Sequence, residues 1–319
     1  MKKNNLALGI DLGGSAIKAG IVDAQGEILR DTTVPAEANL GPAHVIDQIK
    51  KSIRQLLDGF SIKEEGFVGI GVGSPGSVDL DGGTVKYPPN FPGWTVVRLG
   101  EALQKEFGLR TKVDNDANAA AVGEAKFGAG VGHKDFIMVT LGTGVGGGLI
   151  LDGKLYRGPF GGAGELGHMT IDYNGPLCNC GSRGCVEAHV SAKYLTQRAV
   201  ERVQRNPESK ILKLVEGDVT RINPKIVSLA AQEGDSTALG IIEDTGTYLG
   251  VGLANVVNLL DVRIIIIGGG IARAGKPLFD AVEESVKKHV LRPMSEGLEV
   301  LPAKLGNQAG ILGAAALVF

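Results

Sequence analysis

Aromatic residues are sparse: they fill only 5% of the 319 positions, with one tryptophan, Trp94. The core must therefore be aliphatic and rich in alanine, within a hydrophobic share of 43%. Neither charge sign is in excess, since 33 Lys and Arg meet 35 Asp and Glu for a net charge of −2. That balance excludes a nucleic-acid binder that works by neutralising phosphates. Long apolar runs are missing too. After Met1-Lys2-Lys3-Asn4-Asn5 the apolar stretch ends at Asp11, so no signal peptide is visible. Nothing reaches the roughly 18 apolar residues of a spanning helix, so no membrane partner is expected.

Cysteine is scarce and concentrated. Cys178, Cys180 and Cys185 are the only three, and His168 precedes the first by ten residues. Three thiolates and one imidazole are the donors of a closed tetrahedral zinc site. Buried free thiols are the other reading. A disulfide between Cys178 and Cys180 would be strained. Clustered thiols of this kind imply a reducing compartment, by default the cytoplasm. Glu165 and Glu187 flank the cluster, so a metal there would also fix two carboxylates.

Glycine is abundant: 49 residues, about twice the usual share. Many lie where a strand turns. Leu6–Ile10 reads as a strand, residues 11–15 as a turn, and residues 16–23 and 27–34 as two more strands. Val45, Ile49, Ile53 and Leu56 recur at helical spacing within 42–58. Residues 74–95, rich in Gly and Pro, read as a long surface connection of the kind that carries function. The order then restarts, with strand 136–141, turn 142–144 and strand 146–151. A shift of 129 positions lays Gly13 on Gly142, Ile21 on Ile150 and Asp23 on Asp152. Alternating helices and strands follow to the closing apolar helix over 307–318. The pattern predicts two α/β domains flanking a cleft.

Three glycine turns have the form of phosphate cradles: Asp11-Leu12-Gly13-Gly14-Ser15, Gly142-Thr143-Gly144 and Gly268-Gly269-Gly270. Bare backbone amides there can approach an anion, and Asp11 adds a carboxylate for magnesium. Hairpins that simply need glycine are the alternative. No Walker A sequence exists, and Gly142-x-Gly144 runs into a strand, which disfavours a dehydrogenase. Asp114-Asn115-Asp116-Ala117-Asn118 stands where a strand meets a helix. Asp114, Asp116 and Asn118 could each be an N-cap, but three are not needed for that. If phosphoryl transfer occurs, Asp116 is the candidate base. Asn90, Asn115, Glu165, His168 and Glu187 supply groups that suit sugar hydroxyls, whereas Trp94 reads as a core anchor.

These residues together carry a resemblance. Asp11-Leu12-Gly13-Gly14, Asn90, Asn115-Asp116-Ala117-Asn118, Gly164-Glu165-x-Gly167-His168, Cys178-x-Cys180-Gly181-x-x-Gly184-Cys185-x-Glu187 and Gly268-Gly269-Gly270 span the chain, which resembles the ROK sugar kinases and, within them, the bacterial glucokinases. The resemblance implies two ribonuclease-H-like domains of the actin/hexokinase ATPase type. We place them at residues 1–114 plus 305–319 and at 115–304. It implies ATP with magnesium at the glycine turns, and sugar on Asn90, Asn115, Asp116, Glu165, His168 and Glu187. It implies Asp116 as base and structural zinc on His168, Cys178, Cys180 and Cys185. It also implies a homodimer or tetramer, and a last helix packed on the first domain. Ser15 departs from the family's usual threonine but keeps the hydroxyl. The first phosphate turn begins at residue 11, which leaves no room for the DNA-binding segment of the family's repressors. The expected reaction is phosphorylation of glucose to glucose 6-phosphate. The alternatives are fructose, mannose or an N-acetylhexosamine as acceptor, polyphosphate as donor, a non-catalytic sugar-sensing regulator, and an actin- or chaperone-like ATPase.

Overall fold

The computed structural model describes residues 5–79 and 82–319. Met1–Asn4, part of the segment read for a signal peptide, and Leu80 and Asp81 in the 74–95 connection lie outside the described residues. The chain forms two compact units. One comprises Met1–Lys134, Gly148–Gly164 and Lys304–Phe319, the other Asp135–Gly147 and Glu165–Ala303.

The first unit is built on a five-stranded sheet of β1 (Leu6–Leu12), β2 (Ala16–Asp23), β3 (Ile28–Pro35), β4 (Phe67–Ser74) and β8 (Thr111–Asn115), in the order β3-β2-β1-β4-β8. β1 to β3 form an antiparallel meander, and β4 and β8 add in parallel. Strand alternation feeds two cores. Leu6, Leu8, Ile10 and Leu12 join the cluster that receives Val45, Ile49, Ile53 and Leu56, the buried stripe of helix Pro42–Leu56. Ala7 points the other way, into a cluster with Ile311, Leu312 and Ala315 of helix Ala309–Ala316. That closing helix lies so close that a Cβ on Gly71 of β4 would sit 1.7 Å from the Ala314 carbonyl oxygen. The last helix thus packs on the first sheet, as the resemblance implies.

The 74–95 connection is more ordered than its composition suggests. β5 (Ser77–Asp79) and β6 (Thr84–Lys86) within it and β7 (Val96–Arg98) just past its end form a small antiparallel sheet. Strands of three residues are too short to show an alternation. Trp94 is buried and meets Phe91 edge-on at 5.1 Å between ring centroids, which is the core-anchor role read from the sequence.

The second sheet comprises β9 (Phe136–Leu141), β10 (Val145–Leu151), β11 (Lys154–Tyr156), β12 (Ile264–Gly268) and β13 (Glu299–Pro302), in the order β11-β10-β9-β12-β13. Position for position this repeats the first sheet, with β9, β10 and β11 standing for β1, β2 and β3. The internal repeat is therefore an architectural one. β12 runs parallel to both β9 and β13. Helix Ser236–Leu260 opens at Asp235, whose carboxylate accepts the Ala238 N–H at 2.7 Å, and it packs along helix Lys276–His289. Among the described residues no helix is long and apolar enough to cross a membrane.

Candidate active site and metal centre

The candidate residues fall into two groups, one in each unit. In the first, β1 delivers Asp11, and the turn Gly13-Gly14-Ser15 returns the chain into β2. Gly13 donates its N–H to Ala16 O at 3.0 Å, which closes the turn. Gly14 lies against Asn90, where a Cβ would come within 3.3 Å of the asparagine Cβ. Asn90 holds a left-handed φ of 66°, a conformation its short amide tolerates. Asp11 sits opposite Lys18 in the β1–β2 register, 3.7 Å from its ammonium. Burial pushes the Asp11 carboxyl up and Lys18 opposes it. A cation at this turn would favour the ionised form further.

β8 ends in Asp114 and Asn115, and helix Asp116–Phe127 begins at once. Asn115 is the N-cap: its Oδ1 accepts the Ala117 and Asn118 N–H groups at 2.9 and 3.4 Å, and its Nδ2 donates to Gly76 O at 3.3 Å. Asp114 is buried and fully engaged. Its Oδ1 accepts the Asn115 N–H at 2.8 Å and Asn118 Nδ2 at 3.0 Å; its Oδ2 takes Arg157 Nε at 2.8 Å and Nη2 at 2.6 Å. Of the two aspartates only Asp116 is exposed, with its Oδ1 accepting the Ala117 N–H at 2.8 Å. Structure and chemistry thus divide the cluster: Asp114 and Asn115 build the helix start, and Asp116 presents a carboxylate to solvent. Arg157 was not among the sequence candidates. It pairs across 43 residues, and nothing in local spacing marks it.

In the second unit the cysteine segment folds as a knuckle. Cys178 N–H donates to Ser182 O at 2.8 Å and Gly181 N–H to Cys178 O at 3.0 Å, with Gly181 at a φ of 91°. The isolated bridge Thr170↔Cys185 brings the third cysteine beside the segment just after His168. The donor atoms of His168, Cys178, Cys180 and Cys185 all lie within 4.8 Å of one another. Cys180 and Cys185 Sγ are 3.7 Å apart, and Cys178 Sγ lies 3.9 Å from His168 Nδ1. A tetrahedron with zinc–sulfur bonds of about 2.3 Å has edges of about 3.8 Å, so the donors fit that ion. Burial pushes the Cys178 thiol up to about 12 and raises Cys185, while the Ser182 backbone N–H lowers Cys180. A bound cation reverses this by displacing the protons.

Glu165 and His168 are exposed, but Glu187 is buried. Its Oε2 accepts the Val145 N–H at 3.0 Å, and its Oε1 lies 3.7 Å from Cys178 Sγ. Val145 directly follows the Gly142-Thr143-Gly144 turn, where Gly142 N–H closes on Gly144 O at 3.0 Å. The third turn, Gly268-Gly269-Gly270, ends β12 next to Leu141 of β9, and Gly269 has a φ of 91°.

Two sheets of the same 3-2-1-4-5 order, with glycine turns after the first strand of each and a carboxylate at a helix start, define a two-domain α/β protein of the actin and hexokinase type. The chain belongs to the ROK family, whose model matches residues 7–319. It is 39% identical over 311 residues to the glucokinase of Thermotoga maritima, covering 98% of this chain and 96% of that one. Among solved structures, a ROK family glucokinase from Streptomyces griseus in complex with glucose and AMPPNP is 38% identical. It covers 98% of this chain and 99% of its own, with a TM-score of 0.82. The xylose repressor of Bacillus subtilis is 32% identical over 317 residues, covering 99% of this chain and 78% of the repressor.

Proposed function

We propose that the chain is an ATP-dependent hexose kinase that converts glucose to glucose 6-phosphate. The observation that carries this reading is the near-full-length similarity to a kinase solved with glucose and AMPPNP. In the reaction the primary hydroxyl oxygen of the sugar bonds to the γ-phosphorus, the bond to the ADP oxygen breaks, and the hydroxyl proton passes to Asp116. The exposure of Asp116 supports that role, because a base must reach a proton on a bound ligand. It stands in the first turn of helix Asp116–Phe127, where the positive end of the helix dipole favours a carboxylate. Asn90, Asn115, Asp116, Glu165, His168 and Glu187 take the sugar's hydroxyls. Gly13, Gly14, Ser15, Gly142, Thr143 and Gly144 offer backbone and hydroxyl donors to phosphate, and Gly268, Gly269 and Gly270 offer a flat backbone to the nucleoside. Asp11 is the carboxylate that would hold magnesium, which neutralises phosphate charge when bound.

Zinc is assigned to His168, Cys178, Cys180 and Cys185 as a structural ion. The four protein donors leave no open position for substrate. His168 then meets metal through one nitrogen and sugar through the other. Three free thiols suit the cytoplasm. A homodimer or tetramer is the proposed assembly, checked by light scattering.

Release of ADP with glucose, fructose, mannose and N-acetylhexosamines, measured beside metal content, tests the reading. Glucose should give the highest kcat/KM. ADP release without any sugar would mark an ATPase instead. The similarity to the xylose repressor favours a second reading, a sugar-responsive regulator; binding to operator DNA with no turnover of any hexose would select it.

A further inference from the structure

We infer that the metal-binding segment sets the position of the second phosphate turn, and that Glu187 is the positioning residue that joins them. The inference rests on the reading that Gly142-Thr143-Gly144 holds nucleotide phosphates. Glu187 lies two residues beyond Cys185, at the start of the short helix Glu187–Val190. One oxygen of its carboxylate is 3.7 Å from the Cys178 sulfur, and the other accepts the Val145 N–H at 3.0 Å. The same side chain therefore touches a metal donor and the first residue after the turn. Val145 is only 5% exposed, so without Glu187 its N–H would be buried with no acceptor.

Three further contacts seat the turn on the same segment. A Cβ at Gly144 would lie 2.7 Å from Glu187 Oε2, so the turn has room for this carboxylate only as glycine. A Cβ at Gly167, next to His168, would lie 2.2 Å from the Val145 carbonyl oxygen. Ala192 N–H, five residues past Glu187, donates to Gly142 O at 2.9 Å. Both ends of the turn thus rest on residues 165–192, which contain all four metal donors. A metal that ties His168, Cys178 and Cys185 together fixes the backbone on which the turn sits. The zinc brace then acts on nucleotide binding as well as on the sugar.

The test is ADP binding with magnesium and without sugar, by isothermal titration calorimetry on the full chain. Glu187→Ala should bind ADP on the order of ten-fold more weakly, the size typical of lost outer-shell partners. Glu187→Gln keeps an oxygen that can accept the Val145 N–H and should restore the affinity, whatever it does to glucose. Glu187→Asp keeps the charge but withdraws it by one methylene; it should behave as the alanine variant and replaces it if that chain fails to fold. Removing zinc should weaken ADP binding and adding it back should restore it. Wild-type ADP affinity in the folded alanine or aspartate variant would overturn the role of Glu187. Indifference of ADP affinity to zinc would overturn the coupling. A wild-type chain that binds no ADP would instead remove the nucleotide reading on which both stand.

Discussion

Replacing Arg157 with Ala strips the partner from the most deeply buried acid of the Asp114–Asn118 cluster. Asp114 keeps 4% of its side-chain surface in the pair, and Arg157 keeps 30%. Removing one member of a fully buried pair costs about 3–5 kcal/mol, because the remaining charge stays out of water. The arginine is partly wetted, so water can reach the vacated space, and the expected cost falls to about 2–3 kcal/mol. For a unit of this size each kcal/mol lowers Tm by roughly 2–4 °C, which gives a drop of roughly 4–12 °C by circular dichroism. The double variant Asp114→Asn with Arg157→Ala should recover part of that loss, since no buried charge is then left unpaired. The kinetics should separate as well. Asp114 also holds the Asn115 N–H and Asn118 Nδ2, which set the helix start that carries Asp116. Turnover in Arg157→Ala should therefore fall more than glucose affinity. A Tm within a degree of wild type, or a double variant no better than the single one, would refute the assignment of this pair.

Asp116→Asn should lower kcat by about 10²–10⁴-fold, the usual contribution of a general base, with glucose affinity by calorimetry largely kept; near-normal turnover would remove Asp116 from that role. Cys180→Ala should lose zinc by metal analysis and, through displaced His168 and Glu187, weaken glucose binding; zinc loss with full affinity and stability would end the brace idea. Gly71→Ala should cost at least about 1–3 kcal/mol in chemical denaturation, because its Cβ would meet the Ala314 carbonyl and force the closing helix off the sheet. An unchanged midpoint would contradict that packing. His189 is buried and stacked on Tyr248 at 4.3 Å, and burial, then the charge of Arg198, holds its pKa below 6.5. The unfolded chain binds this proton first as pH falls, so the stability is complete above pH 6.5 and is lost below it. Denaturation midpoints from pH 7.5 to 5.5 should decline, and less steeply in His189→Gln.

Local chemistry made much of the site legible in advance. The four candidate metal donors were readable because sulfur and imidazole at short spacing have few other uses, and the knuckle brings the four side chains together. The three glycine turns were readable because a strand that reverses on glycine leaves a local mark. The capping role of Asn115 was not read in advance: Asp114, Asp116 and Asn118 were the expected caps, and the hydrogen bonds single out Asn115 instead. The division of the chain was harder still. The boundary placed at 114 precedes helix Asp116–Phe127, whereas that helix groups with the first unit because it packs on β4 and on the closing helix Ala309–Ala316.

By itself the sequence determined what depends on neighbours along the chain: strand and helix periods, the turns, the donor set and the restart of one strand–turn–strand succession in the second half. The tertiary structure alone decided what depends on distant partners. It gave Asp114 to Arg157, folded the 74–95 connection into a sheet, and turned the Glu187 carboxylate onto the Val145 N–H, 42 residues away. The reason is physical. Backbone conformation and side-chain period are set within a few residues, but a buried charge or N–H takes whichever partner the packing of remote strands and helices brings within hydrogen-bond reach.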